Sequence, residues 1–221
     1  MDDSVLTKDD IDKLREVTEI YLRIKKLILF AEESDKELAA NPQTLIELRN
    51  SLDHLMRVAA VAFGIQEKEN EGYIQTNIDS VRGHLYRAGF DTLDWLSIGV
   101  RLDVTDLLEH FSPQTISIAE PEYFPKKKIF FEGLAKEISE IRNRKDIGNI
   151  NLAELDNYIK LINQAIIYQQ QIEIKIPSME EIERKNEEKF KKQSNIARRD
   201  AIIIAIMGAI IGGLVLYIFL K

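Results

Sequence analysis

Apolar residues recur at every third or fourth position along most of the chain, which is the spacing of one face of an α-helix. A first helix is predicted to start at a capping box formed by Thr7 and Asp10 and to run to the mid-thirties. A second is predicted after Asn41 and Pro42, a cap followed by a first-turn proline, and should end near Gly64. The chain has only ten glycines and five prolines, so an all-α fold is predicted.

A third helical region is predicted from Tyr73 to beyond Trp95, with Gly99 as a candidate break. The segment 112–128 contains three prolines and is predicted to be a loop, in which Thr115 to Ile118 could extend briefly.

Helical patterning returns over 129–144 and again over 152–174, with a turn between them. Pro177 is predicted to interrupt the second of these helices, and Ser178 with Glu181 forms a new capping box. The residues that follow, up to 200, are dense in charge and poor in apolar side chains. They are predicted to form an exposed helical stalk.

Residues 201–220 form a run of twenty uncharged residues, AIIIAIMGAIIGGLVLYIFL. A helix of this length spans roughly 30 Å, the thickness of a bilayer core, so a C-terminal transmembrane helix and a lipid bilayer partner are predicted. Basic residues precede it, at Lys189, Lys191, Lys192, Arg198 and Arg199. By the positive-inside rule, they predict a tail-anchored, single-pass membrane protein with a cytosolic N-terminal domain. Gly208 and Gly212 have the four-residue spacing of small residues that favours association of membrane helices.

The net charge of −7 and the absence of cysteine narrow the functional classes. An acidic chain repels nucleic acid on average, so contact with RNA requires a local basic patch. Disulfides, thiolate metal sites and cysteine nucleophiles are excluded. No P-loop, dinucleotide-binding, zinc-protease or serine-hydrolase motif is present, and neither a cofactor nor a metal is predicted.

Candidate chemistry is concentrated in the second helix, in the sequence Arg49-Asn50-Ser51-Leu52-Asp53-His54. Asn50 and His54 are four residues apart and share a helix face. A guanidinium can bind a phosphate and stabilise developing charge, and an imidazole can transfer a proton near neutral pH. Arg49, Asn50 and His54 are therefore the candidate catalytic residues, and their chemistry suits phosphodiesters.

This segment resembles the R-N-x-x-x-H form of the motif of HEPN domains, and the resemblance covers roughly residues 8–145. It implies an all-helical bundle, a metal-independent endoribonuclease that uses the ribose 2′-hydroxyl as nucleophile, and a homodimer or larger assembly with two motifs in one cleft. It also implies a role in defence or stress responses. The predicted organisation is a HEPN-like domain (1–145), an additional amphipathic helix (146–177), a juxtamembrane stalk (178–200) and the transmembrane helix (201–220).

Two other functions of the protein remain open. Arg49 and Asp53 are four residues apart and could form an ordinary ion pair on a solvated face. The protein would then be a non-catalytic interaction module that binds a protein partner and is recruited to the membrane by its anchor. Membrane disruption by an oligomer is a weaker alternative, since a span without ionisable residues lines a pore poorly.

A second polar cluster lies in the third helix, where Arg82, His84 and Arg87 are candidate substrate-binding residues. Arg87 could instead pair with Asp91, four residues later. The basic run at 126–128 could contact RNA or anionic headgroups, or could form a solvated helix start.

Overall fold

The computed structural model describes residues 5–34, 41–144 and 152–219, and in the last of these ranges it describes exposure as far as residue 209 and at Gly212. In these ranges the chain consists of helices joined by short turns, and no strand is present. The predicted all-α class is therefore confirmed for this part of the chain.

The helices surround one long central member. In chain order they are α1 (Lys8–Ser34), α2 (Pro42–Ala62), α3 (Tyr73–Leu108), α4 (Pro113–Ala119), a π-helical turn (Tyr123–Lys128), α5 (Ile129–Arg144), α6 (Leu152–Glu173) and α7 (Ile176–Phe219). The central helix is α3, and α1, α2 and α6 all pack against it. Two buried clusters meet along α3, one with α1 and α2 and the other with α5 and α6.

The predicted starts of the first two helices are confirmed by their capping bonds. The backbone N–H of Thr7 donates to Asp10 Oδ2 at 2.8 Å, and the N–H of Asp10 donates back to Thr7 Oγ1 at 3.2 Å. At the second helix, Asn41 Oδ1 accepts a hydrogen bond of 2.9 Å from the N–H of Gln43. The helix ends two residues before Gly64, whose φ of 70° lies in the left-handed region that glycine adopts without strain.

The prediction of a loop over 112–128 is wrong, because the segment contains α4 and the π-helical turn. Ser112 caps α4 by accepting from the N–H of Thr115 at 3.2 Å, which also excludes the brief extended stretch predicted there. Thr115 Oγ1 donates to Glu183 of α7. Long-range partners therefore stabilise helices in a segment whose prolines suggested a loop. The break predicted at Gly99 is also wrong, since α3 continues to Leu108.

The predicted C-terminal transmembrane helix is a wrong prediction, because none of the described helices combines the length and the apolar character needed to cross a bilayer. The segment belongs to α7, a single helix that begins at Ile176 and is charged through its first half. Residues 201–209 at the start of the uncharged run are all exposed. The side chains of 210, 211 and 213–219, and residues 220–221, lie outside the description.

Two further predictions depended on that span. The predicted localisation, a single-pass membrane protein with a cytosolic N-terminal domain, is overturned by the same finding. Association through Gly208 and Gly212 also presupposed a membrane helix; in α7 a Cβ built on either glycine would meet nothing within 4 Å.

The start of α7 is packed against the body of the protein, and its middle is exposed. Met179 is fully buried beside α4 and the end of α6, whereas residues 187–209 are all exposed. The helix begins at Ile176, two residues before the predicted cap at Ser178, so Pro177 lies in the first turn where its missing N–H costs nothing.

Candidate functional site

The candidate site is formed where α2 and α3 pack antiparallel. Glu47 and His54 are seven residues apart and lie on the same face of α2, and Asn77 and His84 have the same spacing on α3. Because the two helices run in opposite directions, the earlier residue of α2 meets the later residue of α3. Glu47 contacts His84, and His54 contacts Asn77. This register brings three of the predicted site residues, His54 of α2 with His84 and Arg87 of α3, into one polar cluster.

The ring of His54 is held in one orientation by Asn77. His54 Nδ1 lies 2.8 Å from Asn77 Oδ1, and Asn77 Nδ2 donates to the carbonyl oxygen of Tyr73 at 2.8 Å. Because the amide nitrogen is committed to Tyr73, the amide oxygen must accept, so His54 Nδ1 is the donor. In the neutral ring the lone pair is then on Nε2, which has no hydrogen-bond partner among the described residues.

His84 is held by a buried carboxylate that it shares with an arginine. Glu47 Oε2 accepts from His84 Nδ1 at 2.7 Å and from Arg87 Nε at 2.9 Å, and Arg87 Nη2 lies 2.6 Å from His84 Nδ1. Burial opposes ionisation of Glu47, but the hydrogen bonds and positive charge of His84 and Arg87 outweigh it and hold the pKa of Glu47 below its ordinary value. The carboxylate therefore stays ionised at neutral pH. Arg87 is paired with Glu47, not with Asp91 through the predicted i,i+4 ion pair.

The two histidines are stacked on each other. Their ring centroids are 5.3 Å apart and their planes differ by 23°. Asn50 lies on the same side of α2 as His54 and is half-buried. The arrangement places two imidazoles close together, each fixed through Nδ1 by a polar partner.

Arg49 is exposed, and within the described chain its side chain hydrogen-bonds only to Asn50. Its Nη2 donates to Asn50 Oδ1 at 3.1 Å, and within the described chain it has no carboxylate partner. Asp53, its alternative partner by spacing, instead pairs with Arg57 at 2.7 Å. The ion pair between Arg49 and Asp53 is therefore not formed, and the guanidinium of Arg49 is available to an external anion.

The other predicted basic residues are occupied elsewhere. Arg82 forms a salt bridge of 2.9 Å with Glu16 of α1 and lies outside the histidine cluster. The three lysines of the π-helical turn each pair with a glutamate: Lys126 with Glu122, Lys127 with Glu120 and Lys128 with Glu132. They do not form a free basic patch.

An open depression adjoins the cluster on α3. It has a volume of about 370 Å³ and is lined by His84, Arg87, Gly83, Ser80, Thr76 and Asp79. Its hydroxyls and cations can contact a polar ligand, while Asp79 adds one opposing negative charge. Within the described ranges, no group of three or more histidine or acidic side chains is arranged to hold a metal ion.

Sequence reasoning missed Glu47 and Asn77, the two residues that orient the histidines. A helix that carries polar residues at intervals of seven presents them on one face, so the pairs Glu47–His54 and Asn77–His84 carried a detectable signal. That signal became meaningful only once α2 and α3 were known to pack with these faces together.

The fold and the site together define an all-α protein with a two-histidine polar cluster between its second and third helices. Comparison with protein-family models, curated proteins and solved structures found no match to the chain.

Proposed function

We propose that the protein is a metal-independent endoribonuclease of HEPN-like type, with Arg49, Asn50 and His54 in its active site. The observation that carries this proposal is the fixed tautomer of His54, whose Nδ1 is bonded to Asn77 and whose Nε2 is unpaired among the described residues. A neutral imidazole held in this way can remove a proton from a ribose 2′-hydroxyl.

The guanidinium of Arg49 supports the same reaction. Exposed, and without a carboxylate partner in the described chain, it can bind the scissile phosphate and stabilise charge that builds on its oxygens. Asn50 accepts from Arg49 and so holds the guanidinium on the side of α2 that leads to His54. The net charge of −7 disfavours RNA overall, so a free arginine on the same helix as His54 matters more than it would on a basic surface.

An exposed apolar stripe on α2 supports pairing of two chains. Its members are Leu45, Leu52 and Met56 of α2 and Phe63 at the C-cap of the helix, which are between 49% and 77% exposed. Arg49 lies within the same stripe, by its spacing from Leu45 and Leu52. A second copy that covered the stripe would bring Arg49 into the interface between the two chains. Apolar surface of this kind is typical of protein contacts.

The test is RNA cleavage by the purified full chain in the presence of EDTA. Wild-type protein should cleave single-stranded RNA to 2′,3′-cyclic phosphate ends and should not cleave a strand that has a 2′-deoxyribose at each position. Arg49→Ala and His54→Ala should each lower the rate by about 100-fold or more, the range of a lost acid–base or charge-stabilising group. Arg57→Ala is the matched control, since Arg57 is a similarly exposed arginine on α2 but is paired with Asp53.

Mixing the two inactive variants tests the pairing. If Arg49 of one copy acts beside His54 of the other, a mixture of Arg49→Ala and His54→Ala should regain cleavage, because some mixed pairs contain one complete site. Equal rates for wild type and both variants would refute the assigned site. No cleavage by the wild type would refute the nuclease and favour a protein-binding role for the exposed stripe.

A further inference from the structure

The reaction proposed above uses one histidine, but the cluster contains two. His84 is mostly buried, with 16% of its side chain exposed, and Glu47 beneath it is 11% exposed. Burying a carboxylate is costly unless its oxygens are satisfied, and here both donors to Oε2 come from α3, from His84 and Arg87. The buried carboxylate thus holds the imidazole of His84 and the guanidinium of Arg87 together.

The two histidines differ in the partner that each Nδ1 faces. Asn77 presents a neutral amide oxygen to His54, whereas Glu47 presents a carboxylate to His84. The Arg87 guanidinium also lies against the His84 ring, with Nη2 2.6 Å from Nδ1. His54 is the base of the proposed reaction, so His84, the second ring of the stacked pair and the one that lines the open depression, is placed to donate the proton.

We propose that His84 is the general acid of the site, with Glu47 as its positioning residue. This role rests on the proposed cleavage reaction. His54 Nε2 takes the proton of the 2′-hydroxyl while the 2′-oxygen forms a bond to phosphorus. The bond from phosphorus to the 5′-oxygen breaks, and that oxygen receives the proton of His84 Nε2. The products are a 2′,3′-cyclic phosphate and a 5′-hydroxyl, and the two histidines exchange protonation states.

The geometry suits this division of roles. The attacking and leaving oxygens are on opposite sides of phosphorus, so the acid and the base must be two groups that are close together but separate. Centroids 5.3 Å apart meet that requirement within one chain. The depression of about 370 Å³ lies on the His84 side and can receive the nucleotide that leaves with the 5′-oxygen. Arg87 lines that depression while it remains bonded to Glu47.

The test compares two substrates with the full-length protein. One is an ordinary RNA oligonucleotide, and the other has sulfur in place of the bridging 5′-oxygen at a single cleavage position. A thiolate leaves without being protonated, so the sulfur substrate needs no general acid. His84→Asn, which keeps a donor near Glu47, should slow the oxygen substrate by about 100-fold or more and cleave the sulfur substrate within a few-fold of wild type. Glu47→Gln should show the same selectivity with a smaller loss.

The controls separate the possible failures. His54→Ala should slow both substrates, because removal of the 2′ proton is needed for each. His110→Ala should change neither, since His110 is 82% exposed and pairs with Glu109. Cleavage of the sulfur substrate by His84→Asn also shows that the variant is folded.

Equal loss on both substrates for His84→Asn would overturn the assignment of the acid and leave the nuclease intact. Unchanged cleavage of the oxygen substrate by this variant would do the same. No cleavage of either substrate by the wild type would overturn the nuclease and the acid together.

Discussion

A buried ion pair joins Lys127 of the π-helical turn to Glu120 at the C-cap of α4, and it allows a stringent test of how the segment 112–128 folds. Lys127 has only 2% of its side chain exposed, Glu120 has 10%, and their charged atoms are 3.2 Å apart. The ammonium also lies 5.8 Å from the ring centroid of Tyr168 on α6. Both charges have been taken out of water, so each depends on the other for compensation.

Replacing either partner alone leaves an uncompensated buried charge. Lys127→Met or Glu120→Leu should therefore lower the free energy of unfolding by about 3–5 kcal/mol. The double variant removes both charges and fills the space with apolar groups of similar size, so it should lie within about 1 kcal/mol of wild type or be more stable. The assay is urea unfolding of the full chain followed by helical circular dichroism, arranged as a double-mutant cycle.

The neighbouring lysines supply matched controls. Lys126 and Lys128 are 56% and 48% exposed and pair with Glu122 and Glu132 one helical turn away. Lys126→Met and Lys128→Met should each change the free energy of unfolding by about 0.5 kcal/mol or less, because exposed pairs contribute little. If the losses of the two single variants add in the double variant, the ion pair is not what stabilises the turn, and the reasoning is refuted.

Two further predictions concern α3 and its partners. Gly99→Ala should raise the free energy of unfolding by about 0.5–1 kcal/mol through helix propensity, because nothing lies within 4 Å of a Cβ built there. Gly89→Ala should bring no such gain, because its Cβ would lie 3.2 Å from Leu155 Cδ1; equal gains for both in urea unfolding would contradict this. Because folding lowers the pKa of Glu47, its ionised form stabilises the protein above about pH 4.3, the pKa of a glutamate in the unfolded chain. This stabilisation is lost as the pH falls through the lower pKa that Glu47 has in the folded protein. Between pH 7 and pH 3, the free energy of unfolding should fall less for Glu47→Gln than for wild type, and an equal fall would contradict the assignment.

The starts of α1 and α2 were predictable because helix caps are local. The box of Thr7 and Asp10, and the pair Asn41 and Pro42, each satisfy the free N–H groups of a first turn with atoms a few residues away. The π-helical turn depends instead on Lys127 reaching Glu120 in a buried setting, which no window of local propensity reveals.

The candidate site was likewise predictable in part. Residue types and spacing were enough to select Arg49, Asn50, His54 and His84 as candidates. They could not decide between competing partners at the same spacing: Asp53 pairs with Arg57 and leaves Arg49 free. Residue type also selected Arg82 as a site residue, but α3 faces α1 at that position and the charge of Arg82 is paired with Glu16.

The sequence by itself determined the helical class and the helix caps, because hydrophobic periodicity and capping are properties of neighbouring residues. Its twenty uncharged residues at 201–220 also predicted a membrane span, and none of the described helices meets that requirement. Only the tertiary structure decided which charges pair and which histidines meet. Those outcomes depend on the antiparallel register of α2 on α3, which places Glu47 beneath His84 and Asn77 beside His54. Register is a property of two packed surfaces, and neither helix specifies it alone.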